Sequence, residues 1–267
     1  MKSNPMHTHV MAFDARAGEY DAEFTATALG RVLRAMVWER FEHCFAGRER
    51  LLEIGCGTGE DAVHLARRGH RVLATDASEQ MVRVAKAKAE RGGVAHLVQF
   101  VHAPMENLGT QLAGMEFDGV YSNFGALNCT RHIETLAADL APRLATGAPL
   151  VWVVMGRHVP WEWAWYLARA DVTRAFRRLR RDGVHWRGLE VSYPAPATLA
   201  RALQPHFVRR DTRALGIVLP PSYAAGWINR SPRLLTLLTR AERAAQRWRA
   251  SAMLADHYIF EAVRASA

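Results

Sequence analysis

The hydrophobic pattern of this chain changes period near residue 50. Before that point Leu29, Val32, Leu33, Met36, Val37 and Phe41 recur at helical spacing, so residues 12–48 read as a helical segment that Gly47 stops. Residues 1–10 carry no periodicity and are expected to be disordered. From residue 50 short apolar runs alternate with amphipathic stretches. The runs predict strands at 50–55, 71–75, 98–101, 117–122 and 150–155, and the stretches predict helices over 59–69, 78–91 and 131–145. Strands that are apolar throughout, each followed by a helix, belong to a parallel sheet covered on both faces. After Met155 the alternation breaks. Residues 160–182 predict one long helix, with Trp161, Trp165, Ala168, Val172, Phe176 and Leu179 on a buried stripe and Arg174, Arg177, Arg178 and Arg181 facing outward. A strand or hairpin over 184–193, a helix over 194–204 and a strand over 206–219 follow. Ser231-Pro232 is a helix-opening pair. The helix it opens carries Leu234, Leu238, Ala241, Ala245, Trp248 and Ala252 inward, with Arg240, Arg243 and Arg247 facing away. A last strand runs over 257–263.

The joint between the first strand and its helix reads Glu53-Ile54-Gly55-Cys56-Gly57-Thr58-Gly59-Glu60. A strand, a glycine turn and a helix N-terminus together present backbone N–H groups to a ligand. A dinucleotide fingerprint would place glycines at G-x-G-x-x-G. Here they stand at 55, 57 and 59, and Glu60 occupies the place of the third, giving E-x-G-x-G-x-G. Asp76 ends the second strand, where a carboxylate can accept from a ribose diol. Ser78 is at least as good an N-cap for the next helix, which leaves Asp76 for a ligand. Met81 lies one turn further on, placed either for the core or against a ring.

These residues carry a family resemblance. Leu51–Ala62 with Leu73–Met81 is similar to the strand-one and strand-two motifs of class I S-adenosylmethionine (SAM) dependent methyltransferases. Phe13-Asp14…Tyr20-Asp21 resembles the entry segment of ubiquinone/menaquinone-type and related small-molecule methyltransferases. Val101–Leu108 resembles the loop after strand three, and Phe117–Asn123 resembles strand four. The resemblance covers residues 12–156 and, through the final strand, the antiparallel seventh. It implies a Rossmann-like seven-stranded sheet, mostly parallel with an antiparallel last strand, with helices on both faces and a helical insert after strand five. The implied organisation is an N-terminal lid over 1–48, a SAM-binding core over 49–156, a substrate-binding insert with strand six over 157–255, and the last core strand over 256–267. The implied cofactor is SAM, with S-adenosylhomocysteine (SAH) as product. Its site would draw on Tyr20, Glu53, Gly55, Cys56, Gly57, Gly59, Asp76, Ala77, Met81, Met105, Glu106, Asn123 and Phe124. One departure stands out: Pro104 occupies the place of an Asp that in relatives accepts from the adenine amino group, leaving that contact to the Met105 backbone or to Glu106.

Composition changes this picture little. The 267 residues are 49% hydrophobic and 23% charged, as in ordinary globular domains. The net charge of +9 and pI near 10.1 raise the question of a nucleic-acid partner. Many of the basic residues fall on outward helix faces, which argues against it. Cys44, Cys56 and Cys129 form no C-x-x-C pair, so reduced thiols, no metal centre and a cytoplasmic protein are expected. There is no secretory h-region and no run long enough to span a bilayer.

Methyl transfer from a sulfonium needs the acceptor held in line in a dry pocket. A hydroxyl acceptor also gains from a general base. His158, just after strand five, and His132, at the helix after strand four, are the candidates. Asn128 is a candidate polar contact for the substrate. The insert is rich in aromatic residues. Trp163 falls roughly 160–200° from Trp161 and Trp165 at ~100° per residue, so it needs burial elsewhere. Trp163, Tyr223 and Trp227 are therefore expected to line a pocket for an aromatic, apolar or cationic small molecule, with an O or N atom as acceptor and secondary metabolism as setting. RNA or protein methylation, and SAM binding without catalysis, are the alternatives. Asn123-Phe124-Gly125-Ala126 lacks the N-P-P-aromatic tetrapeptide of base-amino methylases.

Overall fold

The computed structural model describes residues 14, 17–18, 21–180, 182–186, 189–224 and 226–266, without the side chains of Trp186 and Arg249. Phe13, Tyr20 and the first ten residues lie outside that set. The strands are β1 (Arg50–Ile54), β2 (Arg71–Asp76), β3 (Val98–His102), β4 (Gly119–Ser122), β5 (Pro149–Met155), β6 (Val184–Trp186), β7 (Leu189–Val191), β8 (Phe207–Leu215) and β9 (His257–Arg264). The main sheet has seven strands in the order β3-β2-β1-β4-β5-β9-β8. Neighbours from β3 through β5 pair in parallel. Strand β9 is antiparallel to both β5 and β8, so it alone runs against the rest. Strands β6 and β7 form a separate hairpin.

Period-two alternation distributes the core to the two faces. Leu51, Val151, Val153 and Ile259 point to one face. There they meet Leu33, Met36, Val37 and Phe41 of α1 (Ala28–Cys44), Ala62 and Leu65 of α2 (Glu60–Ala66), and Val82 and Ala85 of α3 (Glu79–Arg91). Leu52, Ile54, Leu150, Trp152, Val154 and Phe260 point to the other, against Leu136 and Leu140 of α4 (Ile133–Leu140) and the residues around a later helix, Leu199 and Leu203. Thr27 N-caps α1 through Gly30 N. Ser78 N-caps α3 through Met81 N.

The long helix expected over 160–182 is broken. It consists of α5 (Pro160–Leu167) and α6 (Val172–Ala175), followed by a 3₁₀ turn, Arg177–Leu179. Ala170 adopts φ +57°. The Ala170 N–H bonds Leu167 O and the Asp171 N–H bonds Tyr166 O, the paired bonds that close a helix around a left-handed residue. Glycine is the usual residue there and alanine is not, so the stop carries no sequence signal. Asp171 then N-caps α6 through Arg174 N. With the helix broken, Arg178 does not face outward as its periodicity implied; it is 6% exposed and ion-paired to Glu162 and Asp256. After α7 (Pro196–Ala202), helix α8 (Pro232–Ala245) also turns differently than expected. It buries Leu235 and Glu242, while Trp248, beyond its end, is 64% exposed. The Glu242 carboxylate accepts the backbone N–H groups of Gly216, Ile217, Val218 and Leu219, groups that a buried turn must satisfy.

Asn128 is fully buried. Its Oδ1 accepts Met155 N at 2.9 Å, and its Nδ2 donates to Ser192 O at 2.6 Å and to Met155 O at 3.3 Å. The amide therefore staples the tip of β5 to the segment after β7. Three of the amide's four hydrogen-bonding positions are thus committed to backbone, which gives the side chain a structural task beside the substrate contact expected of it. Asn128→Ala is expected to lower stability by roughly 1–3 kcal/mol for each backbone group left unpaired, read as a fall in the urea midpoint. An unchanged midpoint would remove the staple.

Candidate functional site

The glycine loop sits at the C-terminal edge of the sheet, where ligands of open α/β sheets lie. Gly55 and Gly59 are required for different reasons. Gly55 has φ +70°, and a Cβ there would stand 2.3 Å from the Ala126 Cβ. Gly59 has φ +75°, and its Cβ would meet the Ala85 Cβ at 2.7 Å. Both are packed against protein. Gly57 differs: at φ +52° a Cβ would meet no atom within 4 Å, so the loop faces open space there. The Cys56 side chain is buried, and burial pushes its thiol well up.

Asp76 ends β2 half-buried. Its Oδ2 accepts Gly57 N at 2.7 Å and its Oδ1 accepts Ser78 N at 2.8 Å. Burial raises its pKa, and those two backbone hydrogen bonds oppose the rise. A carboxylate has about four acceptor sites, so its two oxygens retain capacity for a ligand while fixing the loop. Ala77 is half-buried beside it, and its carbonyl takes the His102 imidazole at 2.9 Å. Met81 is buried under the start of α3. Met105 reaches over Gly55, with its Cε 3.9 Å from a Cβ built there, and Glu106 is exposed beside it.

Behind the loop lies a buried polar cluster. Asp61 accepts from Arg34 Nη1 at 2.7 Å, Trp38 Nε1 at 2.6 Å and Asn123 Nδ2 at 2.9 Å. Burial pushes the Asp61 carboxyl up, but Arg34 and the hydrogen bonds from Arg34, Asn123 and Trp38 outweigh it and hold it low. Glu53 lies opposite Tyr121 in the β1–β4 register and accepts its hydroxyl at 3.1 Å. Burial, reinforced by the Asp61 charge, pushes Glu53 well above the usual carboxylate range. Phe124 stands at the tip of β4 with φ +44°. Asn123 Oδ1 holds its N–H at 2.8 Å, Phe24 packs edge-on at 4.8 Å, and the Arg34 guanidinium lies 4.9 Å from its ring centre.

The N-terminal segment closes over this edge. Asp14 accepts from Ser78 Oγ and Gln80 N. Asp21 accepts from Thr58 Oγ1 at 2.7 Å and pairs with Lys88, which also pairs with Glu60. Tyr20 lies outside the described residues.

The remaining expected residues spread around the edge rather than converge. His132 is exposed at the start of α4, with no catalytic neighbour recorded among the described residues. His158 is half-buried and meets Trp163 edge-on at 6.3 Å, and Trp163 also packs on Phe176 at 5.9 Å. Tyr223 is 40% exposed and donates to Glu162 Oε2 at 3.0 Å. Burial and the Glu162 charge push its hydroxyl pKa upward. Trp227 is 47% exposed. Several aromatic faces already carry a cation. Arg169 lies 3.5 Å from the Trp165 ring centre, Arg177 5.5 Å from Tyr166 and Arg178 5.2 Å from Tyr193.

One pair escaped the sequence reading. His257 opens β9, its Nδ1 is 3.0 Å from Asp256 Oδ2, and its ring meets Phe124 edge-on at 5.7 Å. Adjacent Asp-His in the chain was the available signal, but nothing in the sequence placed β9 beside the tip of β4.

Residues 51–147 match the family profile described as a methyltransferase domain. The match runs from β1 to the turn before β5 and covers less than half of the chain. Among curated relatives it is 32% identical over 104 residues to a tRNA 5-carboxymethoxyuridine methyltransferase of Escherichia coli, covering 38% of this chain and 40% of that protein. It is 38% identical over 66 residues to a ubiquinone biosynthesis O-methyltransferase of Acinetobacter baylyi, covering 25% and 27%. The chain thus spans well under half the length of these relatives. The N-methyltransferase NodS from Bradyrhizobium japonicum, solved with SAH, superposes with a TM-score of 0.60 at 10% identity, over 97% of this chain and 100% of that one. The DhpI–SAH complex superposes with a TM-score of 0.58 at 17% identity, over 100% of both. Identities this low speak for the fold of the methyltransferase domain and its surroundings.

Glu53 gives a pH prediction. Its folded pKa lies well above the 4.5 of a free glutamate, so the native state keeps a proton that the unfolded chain has released. Stability from this group is therefore present below about pH 4.5 and is lost as pH rises toward the folded pKa, at up to about 1.4 kcal/mol per pH unit. Glu53→Gln should gain on the wild type in urea midpoint as pH rises above 5 toward the folded pKa. A difference that does not change with pH would contradict a neutral Glu53.

Proposed function

We propose that this chain binds SAM and transfers its methyl group to an oxygen or nitrogen of a small acceptor. The observation that carries the reading is the loop itself: Gly55 and Gly59 locked against Ala126 and Ala85, Gly57 facing open space, and Asp76 pinning the loop with acceptor capacity to spare. The donor set suits the molecule. Asp76 would take the ribose diol, Met105 and the nearby backbone would flank the adenine with Met81 packed beneath them, and the loop with Asn123 would hold the methionine tail. Glu53, Cys56 and Ala77 would support that wall, with Glu106 at its rim. When bound, SAM supplies an electrophilic methyl on a sulfonium. The chain's part is to orient, to exclude water under Asp14 and the 21–25 segment, and to handle the acceptor's proton.

For the acceptor, Trp163, Tyr223 and Trp227 remain the proposed wall residues. With Arg169, Arg177 and Arg178 already on the faces of Trp165, Tyr166 and Tyr193, a further cationic amine gains little there. That favours a neutral or anionic acceptor of metabolite size, in a cytoplasmic, secondary-metabolic setting. The tRNA methyltransferase similarity supports a second reading with an RNA acceptor. Against it, many surface arginines are paired with carboxylates, such as Arg243 with Glu39, Arg68 with Glu42 and Arg131 with Glu190. Such pairing weakens a continuous field for phosphates.

Calorimetry with SAM, SAH and NAD tests the cofactor: SAM and SAH should bind and NAD should not. Asp76→Ala should weaken SAM by about 1–3 kcal/mol, the range of a lost charged hydrogen bond. Unchanged affinity would take Asp76 out of the site. A salt-sensitive gel shift with tRNA at sub-micromolar protein would favour the second reading.

A further inference from the structure

His257 is held from behind by a chain of charges. Glu162 is 1% exposed and accepts Arg178 Nε at 2.9 Å. Arg178 Nη2 donates to Asp256 Oδ1 at 2.7 Å, and its Nη1 to the carbonyls of Gly156 and Asp256, both at 3.1 Å. Asp256 Oδ2 faces His257 Nδ1 at 3.0 Å. Burial lifts the Asp256 carboxyl, but Arg178 and His257 more than reverse this and hold it far below the usual range. A permanently ionised carboxylate on Nδ1 fixes the ring so that Nδ1 carries the hydrogen and Nε2 keeps its lone pair. Among the described residues Nε2 has no hydrogen-bond partner. The ring sits against Phe124 at the tip of β4 and pairs in register with Met155 at the tip of β5. Phe124 follows β4 and Met155 ends β5, so the ring lies at the same C-terminal edge of the sheet as the glycine loop. His158, by contrast, has an aromatic neighbour and no recorded carboxylate to set its tautomer.

We propose that His257, oriented by Asp256, is the general base of this site, and that the acceptor is a hydroxyl. This rests on the methyltransferase reading above. As the acceptor oxygen forms its bond to the methyl carbon, the carbon–sulfur bond breaks and its electron pair stays on sulfur, leaving a neutral thioether. The hydroxyl proton passes to Nε2 of His257, and the imidazolium is stabilised by Asp256 until the proton leaves to solvent. Arg178 and Glu162 are positioning residues. The charged groups around the pair are Asp256, Arg178 behind it, Arg34 across the Phe124 ring and Glu242 beneath the Gly216 turn on which Asp256 packs.

Two measurements test this. The first is ¹⁵N NMR of histidine-labelled protein with SAH bound, the His257 signal being assigned from its loss in His257→Gln. The expected neutral form is protonated on Nδ1; a neutral form protonated on Nε2 overturns the proposal whatever the acceptor. The second is methyl transfer from labelled SAM to catechol, whose hydroxyls stay protonated at neutral pH, with phenethylamine as the amine probe. His257→Gln should lower catechol kcat by about 100-fold or more, with SAH affinity within threefold of wild type. A kcat within threefold of wild type, or turnover of the amine alone, overturns the proposal. Failure of the wild type to bind SAH at all would instead overturn the methyltransferase reading on which it rests.

Discussion

The carboxylate of Asp61 ties the site together. It opens α2 immediately after the glycine loop, yet its hydrogen bonds reach elsewhere: Arg34 and Trp38 on α1, and Asn123 at the tip of β4. A charge buried this deeply is tolerable only when its lone pairs are filled. The covering helix, the loop and the β4 tip are thereby held at fixed distances from one another. Phe124 depends on it indirectly, since Asn123 holds its N–H while donating to Asp61, and Arg34 lies over its ring. A left-handed backbone at a bulky residue costs on the order of 1–3 kcal/mol. The surrounding contacts are what keep it there.

The insert follows the same logic in a different place. Glu162, Arg177, Arg178, Asp256 and Tyr223 form one network around the buried Glu162 and Arg178, and aromatic rings beside it are faced by arginines. Its polarity is hidden from a reading of outward and inward faces. The aromatic wealth of this region therefore serves partly to pack guanidinium groups.

Strand and helix order through Met155 was legible because each element announces itself locally: apolar strands, Ser78 as a cap, Gly47 as a stop. The loop glycines and Asp76 were legible for the same reason, since their chemistry is set by neighbours in sequence. Three features were not. Ala170 closes α5 in a conformation usually given to glycine. Arg178 and Glu242 are charges whose burial depends on partners, Asp256 and the 216–219 turn, that lie far along the chain or in a separate element. Asn128 sits where a ligand contact was expected, but its partners Met155 and Ser192 come from distant segments. His257 belongs with these: its neighbour Phe124 is brought to it only by the sheet order.

The placement of β9 has a consequence for assembly. It follows β8 in the chain yet separates β8 from β5. Until residues 257–264 have emerged from the ribosome, β8 has no slot in the sheet, and the open edge of β5 is an unpaired apolar strand of the kind that invites wrong partners. The hairpin and helices of 157–255 then hang from a scaffold that is still unfinished. The strand that completes the sheet also brings Asp256 and His257 to Phe124 at the tip of β4 and adds a second carboxylate to Arg178 beside Glu162. Closure of the sheet and completion of this charged corner are one event, so a partly made chain would hold the glycine loop while Arg178 still lacked one of its two partners.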